Sequence, residues 1–288
     1  MQCYSPMSIE RPGGRGATDR VTVECGKCLA CLQNKRANWS MRLYEESKIA
    51  HTAYFVTLTY SDETLPYHPI GQEFVQKNIR RNKSIYQGYQ PTLDKTELQK
   101  YFKKLRHANE GQIKYYAIGE YGSLLCRPHY HIILFNVDYQ ADVISSWTTF
   151  NRQRNTYDLR GKVDIGKVEP ASIHYVTNYQ IGPLHQYGEF QDKTKQEPFQ
   201  LFSKGLGENY VIDNYSWHHY ENRFYMIGDK GHKQKMPRYY KEKLMNVRQK
   251  IDFNKQMTDL EDQKHWRDKT QNQIRDTKKA HKLTKHKL

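Results

Sequence analysis

The sequence predicts a mixed α+β fold, a central β-sheet with amphipathic helices packed against it. Three observations carry that expectation. Residues 54–60, 115–120 and 129–135 are runs of β-branched, aromatic and apolar side chains of strand length. Leu98, Phe102 and Leu105 recur at helical spacing behind Asp94, which stands where an N-cap stands, with Glu97 at capping-box distance. No apolar run approaches the length needed to cross a bilayer, which leaves a packed core as the place for these segments.

In chain order, the first 24 residues show no clear period. Cys25, Cys28 and Cys31 follow, with two residues in each gap, the spacing of a thiolate knuckle around zinc. Cys3 is the natural fourth ligand and a histidine the alternative; three ordinary thiols on a turn and a helix start are the other reading. From residue 29 to about 50, Trp39, Leu43 and Glu46 recur at helical intervals, with Lys35, Arg36 and Arg42 between them. The strand over 54–60 stops at Ser61 and Asp62. Its Thr57 and Thr59 share a face with Phe55, as a nucleic-acid surface or as cross-strand packing. Residues 61–93 contain Pro66, Pro69, Gly71, Gly88 and Pro91 and read as a loop or insertion.

The helix opened by Asp94 extends to Gly111. Its polar face carries Lys100, Lys103, Lys104 and Arg106, as cations for DNA or as a solvated surface. After the next two strands, Val143, Ile144 and Trp147 predict a helix across 138–150, with a hairpin or loop over 151–162 and a strand over 163–168. Pro170 opens a helix through Tyr179, ended by Gly182 and Pro183. Residues 184–235 read as loops and small hairpins, and the chain from Arg238 onward as helical. Residues 270–288 are too polar to form a core. The expected division is a Cys-rich segment with a helix (1–50), a core (51–185), accessory loops and hairpins (186–245) and a basic helical or disordered tail (246–288).

Lys and Arg number 46 against 31 Asp and Glu, a net charge of +15. Such a balance points to a polyanionic partner, nucleic acid or a membrane surface. The N-terminus lacks the apolar core of a secretory signal, so a reducing intracellular setting is expected, where cysteines serve as metal ligands or free thiols.

The chemistry concentrates at His129 and His131. On a strand both imidazoles point one way and Tyr130 the other, making half of a divalent-metal site. If the preceding strand is the neighbour, Glu120 completes a two-histidine, one-carboxylate set. Tyr175 and Tyr179, four apart on a helix, share a face. Mg²⁺ or Mn²⁺ on the first group polarises a scissile phosphate, and a tyrosine of the second attacks phosphorus. The products are a 5′-phosphotyrosyl bond and a free 3′-hydroxyl, and two tyrosines permit two successive transfers. Histidines on a sheet and tyrosines on a helix are more often plain packing residues, so the combination carries the argument.

His129, Tyr130 and His131, followed by an apolar strand, resemble the signature of HUH endonucleases, the rolling-circle initiators. More narrowly, the chain resembles the replication initiators of gokushovirus-like Microviridae in Cys25 to Cys31, Thr57 to Tyr60, Gly119 to Gly122, Arg127 to His131, Tyr175 with Tyr179, and Pro237 to Tyr240. The resemblance implies a ferredoxin- or RRM-like core with a central antiparallel sheet. It implies nicking of single-stranded or supercoiled phage origin DNA in the host cytoplasm, with host helicase and polymerase as partners and no membrane. Metal ligands carry over to Glu120, His129 and His131, and nucleophiles to Tyr175 and Tyr179. Thr57, Thr59, Arg127, Lys103, Lys104 and Lys204 are the expected DNA contacts. Relatives carry a lysine three residues after a catalytic tyrosine; Asn178 and Gly182 stand there instead, leaving Lys193 or Lys204 to supply that cation. The competing readings are a non-catalytic single-stranded nucleic-acid binder and an HUH transposase or relaxase.

Overall fold

The structure, a computed structural model, describes residues 3–10, 20–69, 89–122, 126–178 and 195–220, then 223, 225–227, 231, 233–246 and 248–250. The described residues divide into two compact units, one holding those between 43 and 207, the other those before 43 and after 207. In the second, β1 (Met7–Glu10) and β2 (Arg20–Val23) pair antiparallel, an ordered ladder where the sequence shows no period. Its side chains on β1 are all exposed, so there is no buried face to impose alternation. The helix α1 (Leu29–Ile49) contributes residues to both units.

The larger unit is built on one sheet. Its chain order is β3 (Ala53–Leu58), the short pair β4 (Tyr67–Pro69) and β5 (Tyr89–Pro91), α2 (Lys95–Ala108), β6 (Lys114–Tyr121), β7 (Pro128–Phe135) and α3 (Gln140–Ser146). Then come the hairpin β8 (Thr148–Asn151) and β9 (Thr156–Leu159), β10 (Val163–Lys167), α4 (Pro170–Asn178) and β11 (Phe199–Phe202). Five strands join in the order β10-β3-β7-β6-β11, every pair antiparallel. Without the edge strand β11, the connectivity is β-α-β-β-α-β in the spatial order fourth, first, third, second.

Strand alternation gives the sheet two faces. Tyr130, Ile132 and Leu134 of β7 join Val56, Leu58 and Ala117 on one, and α2 covers it with Leu98, Tyr101, Phe102 and Leu105. Trp147 and Val143 of the α3 segment complete this core. Each such side chain contributes roughly 1.5–3 kcal/mol of burial. The other face carries Glu120, His129 and His131.

Asp94 caps α2, accepting from the N–H groups of Thr96 and Glu97 at 2.8 and 3.1 Å. Other groups take over the reciprocal half of the capping box. The Asp94 N–H is satisfied by the Tyr130 hydroxyl at 3.0 Å, and Glu97 turns to Arg160 and Lys100. Tyr130 Oη donates to the Asp94 carbonyl at 2.9 Å and meets Tyr60 Oη at 2.9 Å, so the central strand is tied to a helix start and a neighbouring strand end.

Three expectations are corrected. The helix over 138–150 ends at Ser146, because Thr148, Thr149 and Phe150 pair as β8 with β9. The helix begun at Asp94 stops at Ala108 rather than Gly111. Residues 199–202, read as loop, are the sheet's edge strand. The predicted helix end at Gly182 and Pro183 lies outside the described residues.

In the other unit, α5 (Asn209–Asp213), α6 (Tyr215–His219), the ladder β12 (Tyr225–Ile227) with β13 (Lys233–Lys235), and α7 (Arg238–Leu244) surround Val211, Met226, Met236, Tyr240 and Leu244. No helix among the described residues is long and apolar enough to cross a membrane.

Candidate active site

β6 and β7 set Glu120 directly opposite His129, and β3 sets Thr57 opposite His131. Opposed residues in an antiparallel ladder share a face, so two imidazoles and one carboxylate meet. Glu120 Oε1 lies 2.8 Å from His129 Nε2 and 3.1 Å from His131 Nε2. Glu120 and His131 are each 8% exposed. A fourth group arrives from α4: the Tyr175 hydroxyl donates to the same Glu120 oxygen at 3.0 Å and lies 3.4 Å from His131 Nε2. Phe55 of β3 stacks on His131, with centroids 5.7 Å apart, and meets Tyr175 edge-on at 6.2 Å.

The outer nitrogens are fixed as well. His129 Nδ1 lies 3.2 Å from the Arg127 carbonyl, which only accepts, so Nδ1 carries the proton. His131 Nδ1 meets Thr57 Oγ1 at 3.0 Å. In its neutral form His129 therefore turns an Nε2 lone pair toward a carboxylate lone pair at 2.8 Å, and a proton or metal cation must stand between them. Ligand bonds of about 2.1 Å at right angles put neighbouring donors about 3.0 Å apart, a value bracketed by the two Nε2–Oε1 distances here. One carboxylate and two imidazoles on one side of a cation match the two-histidine, one-carboxylate triad, which leaves positions open for substrate.

Burial pushes the Glu120 carboxyl up, but hydrogen bonds and charge from His129 and His131 outweigh it and hold it down to about 2. Burial, then the adjacent Glu120 charge, pushes the Tyr175 phenol well above its ordinary value.

The family model for the phage replication-associated protein ORF2 matches residues 53–181, the segment that contains all four groups. The replication-associated protein ORF2 of Spiroplasma virus 4 is 31% identical over 239 residues, covering 77% of this chain and 68% of the relative. The replication-associated protein VP4 of Bdellovibrio phage phiMH2K is 27% identical over 227 residues, covering 76% of this chain and 66% of the relative. This chain belongs to the replication-associated proteins of the Microviridae. The matched part of the chain spans about two thirds of each relative's length. No solved structure matches it. A role in starting phage DNA replication follows from family membership.

Within this replication protein the other expected site residues fall at several places. Tyr179 and Lys193 lie outside the described residues. Lys103 and Lys104 sit on α2, on the sheet face away from the imidazoles, and Lys104 Nζ bonds the Thr148 carbonyl at 2.8 Å. Lys204 lies past the end of β11, beside Tyr115 rather than Glu120, five residues or about 17 Å down β6. Thr59 Oγ1 bonds the backbone of Lys162. Arg127 grips the Tyr60 carbonyl at 2.9 Å and Asp62 at 2.5 Å. Sequence reasoning missed the orienting roles of Thr57 and of the Arg127 carbonyl, and the packing of Phe55.

Cys3, Cys25, Cys28 and Cys31 form a second group, with their sulfurs within 4.8 Å of one another. The separations Cys3–Cys25, Cys3–Cys28 and Cys25–Cys31 are 3.5, 3.9 and 3.9 Å. A tetrahedron with bonds of about 2.3 Å has edges of about 3.8 Å, so this donor set fits zinc. The Cys28 N–H donates to Cys25 Sγ at 3.4 Å, and the Tyr4 N–H to Cys28 Sγ at 3.4 Å. Backbone N–H groups of Lys27 and Cys28 hold the Cys25 thiol down to about 6, while burial pushes Cys3 up.

Proposed function

We propose that the chain is a rolling-circle initiator of the HUH type, which nicks single-stranded origin DNA of its phage through Tyr175. Residues 51–185 are the endonuclease core, and the β-α-β-β-α-β connectivity with both histidines on the central strand supports a ferredoxin- or RRM-like HUH fold. One observation carries the reading. The hydroxyl of Tyr175 and both Nε2 atoms converge on one oxygen of Glu120, so nucleophile and metal ligands address the same point.

Glu120, His129 and His131 would hold Mg²⁺ or Mn²⁺. Bound there, the cation would polarise the scissile phosphate and offset the Glu120 charge that opposes a phenolate. Tyr175 Oη forms its bond to phosphorus as the bond from phosphorus to the 3′ oxygen breaks. The phenol sheds a proton and the departing oxygen takes one up. The phosphodiester energy stays in the 5′-phosphotyrosyl link, so the step is reversible and strands can be rejoined. Tyr179, one helical turn on by sequence, is assigned the second transfer. Arg127 and Phe55 act as positioning residues. The free 3′-hydroxyl would be extended by host polymerase and helicase in the host cytoplasm.

Incubating the protein with single-stranded origin DNA and Mn²⁺ tests this. A protein-linked 5′ product on a denaturing gel is expected, lost in Tyr175→Phe/Tyr179→Phe. DNA binding without cleavage by the wild-type protein would leave only a non-catalytic binder.

A further inference from the structure

Outside the residues matched to the family model, the α5–β13 stretch concentrates aromatic rings that its own core does not use. The core there is Val211, Met226, Met236, Tyr240 and Leu244. His218, fully buried, places Nε2 3.0 Å from the Tyr210 hydroxyl and Nδ1 against the Arg223 carbonyl. Those two bonds fix α6, and with it the directions of the rings on either side.

On the outside, Tyr215 stacks on His219 with centroids 4.9 Å apart and planes 16° apart. Tyr220 meets His219 edge-on at 5.4 Å and is 76% exposed, against 40% for Tyr215. Trp217 meets Tyr225 edge-on at 5.6 Å. Cations interleave with these rings: the Arg223 guanidinium lies 5.0 Å from the Trp217 ring and Lys233 Nζ 4.4 Å from that of Tyr225. Exposed rings normally cost solubility and find a partner. Rings held in place beside Arg and Lys, on a chain of net charge +15, suit a polyanion with free aromatic faces. Unpaired nucleic-acid bases have such faces; the bases of a duplex are already stacked on one another.

We propose that the surface from Tyr215 to Lys233 is a stacking platform for single-stranded DNA, with bases on Tyr215 and Tyr220 and flanking phosphates beside Arg223 and Lys233. It rests on the reading that this chain handles single-stranded DNA, but it takes no part in strand cleavage.

Fluorescence anisotropy with a labelled oligothymidylate lacking the origin, and with a duplex of equal length, tests it. Tyr215→Ala and Tyr220→Ala should each weaken oligothymidylate binding roughly fivefold or more, leave duplex binding unchanged, and leave nicking of a short origin oligonucleotide at saturation within about twofold. Tyr220→Trp should restore binding, which a merely structural defect would not allow. Unchanged oligothymidylate binding in both Ala variants, or equal losses on single strand and duplex, would overturn the platform. A wild-type protein that never nicks, with the stacking losses intact, would sink the cleavage reading and leave this one standing.

Discussion

Replacing Glu120 with Gln keeps volume and one acceptor oxygen but removes the charge between the imidazoles. The carboxyl is held at about 2 in the fold against 4.5 for the free group. At about 1.4 kcal/mol per pH unit, that difference is worth about 3 kcal/mol of stability. Because the folded value is the lower one, the contribution is complete above pH 4.5 and fades as the pH falls toward 2. The Gln variant has no such contribution to lose. In metal-free buffer at pH 7, its melting temperature should lie about 6–12 °C below wild type, from about 2–4 °C per kcal/mol in a chain of this size. The gap should close as the pH is lowered from 4.5 to 2. Mn²⁺ should raise the wild-type melting temperature and leave the variant's unchanged. A gap independent of pH, or a variant stabilised by Mn²⁺ as much as wild type, would refute the arrangement of charges described above.

Other perturbations address separate parts of the molecule. Protein purified without chelator should contain about one zinc per chain by elemental analysis, and Cys25→Ser should abolish it; metal-free, fully folded protein would exclude a zinc knuckle. Lys114→Met would strand the buried Glu46, which takes Lys114 Nζ at 2.8 Å and the Gly207 N–H at 2.7 Å; a loss of about 3–5 kcal/mol is expected by urea denaturation. Gly161→Ala would drive a Cβ into the Thr59 carbonyl. A loss of roughly 1–3 kcal/mol should appear in thermal melts, while Gly26→Ala, with open space but φ of +72°, should cost less.

The parts of the fold legible in the sequence are those with a buried face. The strands around Val56, Ile118 and Ile132, and the helix behind Asp94, stand out because packing on one side imposes a period. β11 was not legible: four half-buried residues at a sheet edge carry little pattern, and their register against Tyr116 to Gly119 is a long-range fact. β8 was read as helix because Val143, Ile144 and Trp147 continue a helical spacing past Ser146. At the site, the shared direction of His129 and His131 follows from strand geometry alone. That Glu120 faces them depends on the pairing of β6 with β7, and the place of Thr57 on the pairing of β3 with β7. The Arg127 carbonyl could not be foreseen from side-chain identities, since its part is played by the backbone.

Tyr130 stands between the two histidines in sequence yet faces the opposite way, where its hydroxyl meets the start of α2 and the end of β3. The sheet is one residue thick at this point. The aim of the imidazoles is thus anchored from behind, by groups that no substrate on their own side ever meets. A change confined to the rear surface, such as a disturbed Asp94 turn, would tilt both ligands together and detune the site from a distance.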